Sequence, residues 1–383
     1  MRVALTVWGW PTHYFHVVPL AWALRAAGHD VRVLTQPSML PVVVRSGLPG
    51  VAVGPPVDVE AMRRGEHYMA AADPAHPLDW QDMRKYGTWT VAPYLVTAST
   101  MLEDCLRVTS SFRPDLIVYE ATSYVGPVVS AVTGIPAVRH TWGVDYPYLF
   151  EEFTGEAFAP FAKALGVPAI DTLGVATVDT CPPSMQLPVA DGRTRLPMRF
   201  VPYNGTARAP APPPRPGGPH VVVCWGVTVG MLYDSMFHLR GVVESLGALD
   251  AEVTVAIGDP APLGPLPANV RTLGGYALHD LLAGADLLIC QGGMGNLMTA
   301  LAAGVPSLTV PGTPDQVCNG RQHASTGAGR CVPFDPDHPD EITRHAGEML
   351  IDPGYRERAI ALRDESIAMP AAHETVATLA TLI

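Results

Sequence analysis

The stretch that decides the fold is LLICQGGMGNLMTALAAGVPSLTVPGTPDQ, residues 287–316. Its first four residues form an uninterrupted apolar run, the pattern of a strand buried on both faces of a parallel sheet. Residues 291–296 hold three glycines in six positions, which predicts a turn. Residues 296–303 are rich in Leu, Met and Ala, all good helix formers. Gly304 stands where a glycine ends a helix, and Pro306 stops it continuing. Residues 307–310 read as a second strand. A turn that leaves a strand and opens a helix presents backbone N–H groups at the positive end of the helix dipole. That arrangement binds anions, phosphate above all. Asp315 and Gln316 follow the second strand and are expected on the same rim.

Outward from this stretch the same alternation recurs. Strands are expected at 221–225, 252–257 and 270–273, with helices near 235–246 and 279–283. Residues 341–383 read as helical, broken near 369–370. Upstream lies TARAPAPPPRPGGP, residues 206–219, in which six of fourteen residues are proline. Such a segment is stiff and extended, a linker. Before it come a strand at 3–8, a loop at 9–16, a helix at 19–27 and a strand at 31–34. Further strands fall at 115–119 and 135–139, flanking a small-residue helix at 124–133 that Gly134 caps. Strand–helix–strand units give parallel sheets. The expected fold is α/β: two Rossmann-like doubly wound domains, residues 1–205 and 219–383, joined by the linker 206–218. Ligands bind such sheets outside the C-terminal strand ends, so the site belongs in the cleft between the domains.

Composition narrows the function. The net charge of −11 and the lack of a dense Lys/Arg stripe argue against nucleic-acid binding, which needs phosphate neutralisation. No apolar run approaches the ~18 residues a membrane helix needs, and the first ten residues are too short for a signal peptide. A cytoplasmic protein is expected. Hydrophobic residues make up 48% of the chain and charged ones 16%, ordinary for a globular protein with a large core. The six cysteines form no CxxC pair, which points to reduced structural thiols.

The chemistry is read by elimination and by position. No GxxxxGK[ST] loop occurs, and the first loop, WGWPTHYFH, lacks the glycine spacing of a dinucleotide site. There is no HExxH, and no Asp cluster suggests a metal. What remains is the phosphate-type turn and, in the other domain, His13 and His16 after the first strand. A histidine titrates near neutrality, so His13 is a candidate general base facing the phosphate site. A carboxylate would orient its ring: Glu120 at the end of the 115–119 strand is the first candidate and Asp145 the second. Residues 55–100 carry Tyr68, Trp80, Tyr86, Trp89 and Tyr94 with Met62, Met69 and Met83; residues 142–161 carry Trp142, Tyr146, Tyr148, Phe150, Phe153, Phe158 and Phe161. The first set reads either as core under short helices or as the wall of a site for a bulky ligand.

Three blocks carry a resemblance: THYFHVVPLAWALRAAGHDVRVLT (12–35), FRPDLIVYEATSYVGPVVSAVTGIPAVRHTWG (112–143), and the residues 274–329 that include the opening stretch. The chain resembles bacterial antibiotic and natural-product glycosyltransferases of the GT-B fold. That resemblance implies an acceptor-binding N-terminal domain, a nucleotide-sugar-binding C-terminal domain and a last helix that crosses back. It implies an inverting transfer of a sugar of the deoxysugar class from a TDP- or UDP-sugar to an aromatic or polyketide-type acceptor. His13 takes the place of the family's base in a His-x-x-Pro-x-x-Pro-Leu pattern, in which His16 replaces the first proline. Glu120 takes the place of the acid paired with it. Asp315 and Gln316 match the pair that holds the donor sugar's hydroxyls. Tyr276, Ala277 and Leu278 fall where the base is held, and Gly226 and Thr228 on a loop facing the diphosphate. Gln291, Gly292, Gly293, Gly295 and Asn296 form the turn beneath it, and no metal or other cofactor is implied. His16, Trp80, Trp142 and Tyr146 are expected on the acceptor side.

Two departures stand in the turn. Where the family reads His-Gly-Gly-x-Gly-Thr, this chain has Gln291 and Asn296; both donate hydrogen bonds, but Gln291 is never cationic. These departures keep a second class open, an auxiliary protein that binds nucleotide sugar without turnover. A nucleotide-sugar epimerase on the same architecture is a third. Nothing in the residues separates O- from C-linked transfer, names the sugar or acceptor, or decides between a monomer and a homodimer.

Overall fold

The computed structural model describes residues 1–64, 73, 75–190, 192–205, 217–226 and 238–382. Thr228, Tyr68, Met69 and most of the proline-rich segment lie outside them.

Two parallel sheets dominate. The first holds seven strands in the order β3-β2-β1-β4-β5-β6-β7: Gly50–Ala52, Asp30–Thr35, Arg2–Thr6, Leu116–Glu120, Ala137–His140, Ala176–Asp179 and Thr194–Pro197. The second holds six in the order β10-β9-β8-β11-β12-β13: Val270–Leu273, Glu252–Ala256, His220–Cys224, Leu287–Cys290, Ser307–Thr309 and Gly329–Cys331. Each order runs backward from its first strand and then forward. The topological switch therefore lies between β1 and β4 in one sheet and between β8 and β11 in the other. That gap is where such sheets open a crevice for ligands.

The apolar runs explain the layering. Side chains alternate across a strand, so each central strand feeds two cores. Val3 and Leu5 join Leu116 and Val118 on one face, while Ala4, Ile117 and Tyr119 join the other. In the second sheet Val221, Val223, Leu287 and Ile289 face one core, and Val222, Leu288 and Cys290 the opposite one. Each such aliphatic side chain taken from water contributes roughly 1.5–3 kcal/mol. All six cysteines are free.

Several boundaries differ from the sequence expectation. Residues 9–16 are not a loop: the helix begins at Pro11 and runs Pro11–Ala26. Gly9-Trp10-Pro11 looks like a turn, but proline at the first helical position already has the required φ and lacks only an N–H that would be unpaired there. The helix after the glycine turn starts at Met294 rather than 296 and ends on Gly304 in the left-handed conformation. Asp315 and Gln316 are not in a loop but in the first turn of the helix Pro314–Ser325. The C-terminal helical region breaks twice, between Asp340–Ile351 and Pro353–Ala368 and again before Ala372–Leu379.

The last helix packs against Pro11–Ala26, with Val376 and Leu379 in one cluster with Leu20 and Leu24. Other contacts tie the two halves. Arg199 N–H donates to the Pro370 carbonyl at 2.8 Å, and the Asn204 amide to Thr299 Oγ1 at 3.1 Å. Among the described residues, no helix is long and apolar enough to cross a membrane.

Candidate active site

The turn after β1 and the end of β4 flank the first switch point. Glu120 is the last residue of β4 and is 1% exposed. Burial of a carboxylate requires partners, and four donors converge on it. Thr122 gives its hydroxyl at 2.8 Å and its backbone N–H at 3.0 Å to Oε1, and Trp8 N–H lies 3.4 Å from Oε2. The fourth is His13, whose Nδ1 is 3.2 Å from Glu120 Oε1 and 3.2 Å from Thr122 Oγ1. The imidazole is held between Trp8 and Trp142, with ring centroids 5.1 and 4.4 Å away. A proton on Nδ1 facing Glu120 leaves Nε2 as the free, basic nitrogen.

Asp145, the alternative orienting acid, does something else. Its side chain is fully buried and bound by Arg139 at 2.7 and 2.8 Å and by Arg195 at 2.6 Å. Burial pushes its carboxyl up, but the two guanidinium groups outweigh that and hold it below the usual carboxylate range. It braces the loop that carries Trp142 and does not orient His13.

Behind Glu120, in register with it on β5, sits His140. It is fully buried with neither ring nitrogen partnered among the described residues, and burial pushes its pKa down to about 4. His16 lies one helical turn beyond His13. It is 8% exposed, and burial, then His140 and His13, push it down to about 3.

The second switch point carries the glycine turn. Cys224 of β8 pairs with Cys290 of β11, and the chain continues into Gly226 on one side and Gln291 on the other. Gly226 has φ 63°, and a Cβ there would stand 2.7 Å from Gln291 Nε2. Gly292 has φ 91°, and its Cβ would strike the Gln316 carbonyl at 2.8 Å. Only glycine serves both the backbone conformation and the approach. Gly293 caps Met294–Ala303 with no side chain over the helix end; the Asn296 N–H turns back to the Gly293 carbonyl at 3.0 Å, which leaves the N–H groups of Met294 and Gly295 to face an anion.

The turn is braced from within. Asn296 spends its amide N–H groups on the Cys224 carbonyl at 3.0 Å and on Gln291 Oε1 at 3.2 Å, so it is a brace rather than the outward donor expected of it. Gln291, 5% exposed, sets its Nε2 beside Gly226 and Gly293. Asn319 donates to the Gly292 carbonyl at 3.1 Å. Gln316 Oε1 accepts the Gly312 N–H at 3.0 Å, and Asp315 Oδ1 accepts the Thr313 hydroxyl at 2.6 Å. Tyr276 is half-buried on the core that contains Leu278. Ala277 and Leu278 point inward, leaving their backbone as what a base would meet.

The two switch points meet. Val144 N–H donates to Met294 sulfur at 3.1 Å, and a Cβ on Gly143 would fall 2.3 Å from that sulfur. A Cβ on Gly295 would lie 3.8 Å from His16 Nε2. Among the described residues no group of three or more His, Cys, Asp or Glu is placed to hold a metal ion.

Known proteins share this fold. Residues 22–212 match the N-terminal domain, and residues 240–382 the C-terminal domain, of the erythromycin biosynthesis protein CIII-like family. The chain belongs to that family. It is 31% identical to the TDP-daunosamine transferase DnrS of Streptomyces peucetius, across 100% of this chain and 97% of that one. It is 32% identical to the 10-deoxymethynolide desosaminyltransferase of Streptomyces venezuelae, across 97% and 94%. The spinosyn rhamnosyltransferase SpnG, solved with thymidine diphosphate, aligns with a TM-score of 0.83 at 29% identity over 99% of this chain and 100% of that one. The fold is GT-B, and the chain is a glycosyltransferase.

For this family member, the residues expected on the acceptor side part ways. Trp142 is half-buried over His13. Trp80 is half-buried and packs on Tyr146, Phe150 and Phe153 at 5.9–6.0 Å. Tyr146 and Phe150 lie in the core with Tyr94 and Phe158, so most of the aromatic content here is packing. Thr122, Trp8 and His140 were not marked by the sequence reading. The Glu-x-Thr spacing at 120–122 was the available signal, because a hydroxyl two residues on bonds back to its own turn.

Proposed function

We propose that this protein is an inverting glycosyltransferase that moves a deoxysugar from a TDP-sugar, or its UDP counterpart, onto a polyketide-type or aromatic acceptor. The observation that carries the reading is the His13–Glu120 pair at one switch point, set by a single helix against the open glycine turn of the other. His13 Nε2 takes the acceptor's proton as its oxygen attacks the anomeric carbon. The bond from that carbon to the diphosphate oxygen breaks, and its electron pair leaves with the nucleoside diphosphate. Glu120 holds the imidazolium that forms. The N–H groups of the glycine turn and Gln291 Nε2 meet the charge growing on the leaving group. Asp315 and Gln316 hold the sugar, Tyr276 and the backbone at 277–278 hold the base, and Trp142 and Trp80 line the acceptor side. Because helix-terminal amides take up the charge, the reaction needs no metal. The relatives' names, one specifying TDP-daunosamine and another 10-deoxymethynolide, support this choice of substrates.

The test is a mass-spectrometric screen of the purified chain against TDP- and UDP-sugars with macrolide and anthracycline aglycones, with and without chelator. We expect acceptor mass gained by one deoxyhexose, unchanged by chelator. Binding of TDP with no transfer across the panel would favour the auxiliary protein instead.

A further inference from the structure

His16 stands apart from the machinery described so far. It is nine-tenths buried, and its Nδ1 is enclosed without a partner among the described residues. A sealed ring nitrogen without a hydrogen bond is destabilising. The packing that seals it also fixes the ring, which lies 5.8 Å from the Phe200 ring. Its other nitrogen, Nε2, is the atom beside Gly295, in the first turn of Met294–Ala303. Gln291, at the head of the same turn, brings no charge. We infer that His16 is a donor-site residue, not an acceptor-site one: its Nε2–H reaches across the cleft and hydrogen-bonds the diphosphate bound on the 291–296 turn.

The inference rests on reading that turn as the diphosphate site. It gives one explanation to two departures from the family pattern, His16 in place of a proline and Gln291 in place of a histidine. The chain has a histidine in the first domain at position 16, beside Gly295, and an amide in the second at position 291, beside Gly293 of the same turn. A diphosphate between them brings negative charge to an imidazole that burial otherwise keeps neutral. A histidine held by one domain and touching an anion held by the other also couples donor binding to the apposition of the domains.

The experiment is calorimetric titration of the full chain with TDP. Three proteins are compared: wild type, His16→Phe, and His16→Phe combined with Gln291→His. Phenylalanine keeps the ring and its packing on Phe200 but removes both nitrogens. We expect His16→Phe to weaken TDP binding about tenfold, the loss of one hydrogen bond to a charged group. We expect Gln291→His to restore most of that loss, because it returns an imidazole to the turn from the other side. Equal affinity of wild type and His16→Phe would overturn the role of His16 and leave the donor-site reading intact. A loss that Gln291→His does not repair would mark His16 as structural and overturn it too. Failure of wild type to bind either TDP or UDP would sink the donor-site reading itself. If His16→Phe does not fold, His16→Leu serves, since it fills the space without a donor; there the expected weakening is again about tenfold, and none would contradict the assignment.

Discussion

His13 and Glu120 form a contact that the sequence supports only in outline. A histidine near one strand end and a carboxylate at another were visible. What was not visible was that Thr122 and Trp8 hold the Glu120 oxygens from behind, so that the carboxylate meets His13 Nδ1. Asp145 looked equally eligible by position, yet its partners Arg139 and Arg195 come from strands 6 and 50 residues away in the chain. Long-range pairing of that kind leaves no local pattern. Two results follow. Glu120→Gln keeps the shape but removes the charge that supports imidazolium, so kcat should fall on the order of 10²–10⁴-fold with TDP affinity unchanged; an unchanged kcat in a steady-state assay would exclude this acid. Asp145→Asn leaves the buried Arg139 guanidinium poorly matched, so unfolding free energy should drop by about 3 kcal/mol in urea denaturation. Stability within 0.5 kcal/mol of wild type would show that the pair is not holding the loop.

Among elements, the glycine turn and the strands beside it were legible because their cause is local: apolar runs, three glycines and a capped helix. The first half of the helix Pro11–Ala26 was not, although a helix was expected from residue 19, since a Gly-Trp-Pro start imitates a turn. That error mattered, because a helix rather than a loop puts His13 and His16 one turn apart on a rigid rod. The helix Pro314–Ser325 gives an independent check on packing. His323 is 1% exposed, and burial lowers its pKa from the ordinary 6.5 to about 4. The unfolded chain therefore binds a proton that the folded one refuses. The stability this residue contributes is complete above pH 6.5 and is lost as pH falls toward 4, by about 1.4 kcal/mol per pH unit. His323→Gln should show a shallower acid decline than wild type over that interval. Parallel pH–stability curves would contradict the burial of a neutral ring there.

For the whole molecule, alternating strands and helices in two halves announced two doubly wound sheets. The strand orders, which fix the switch points, come from which strands pair across the chain, and periodicity does not encode that. Once the orders are set, Trp8–His13 and Glu120 fall at one crevice and Gly226 and Gln291 at the other, and the 143–144 loop and Met294 hold the crevices together. Much of the aromatic content that suggested an acceptor wall turned out to be core, because a large domain with few aliphatic residues between 142 and 161 fills its interior with rings. The central claim is that the first domain supplies the base for a displacement whose leaving group the second domain holds. Its most direct test is the single-turnover rate of His13→Ala with a matched donor and acceptor. The account predicts a fall of about 10²–10⁴-fold while TDP still binds as it does to wild type. An undiminished rate would contradict it.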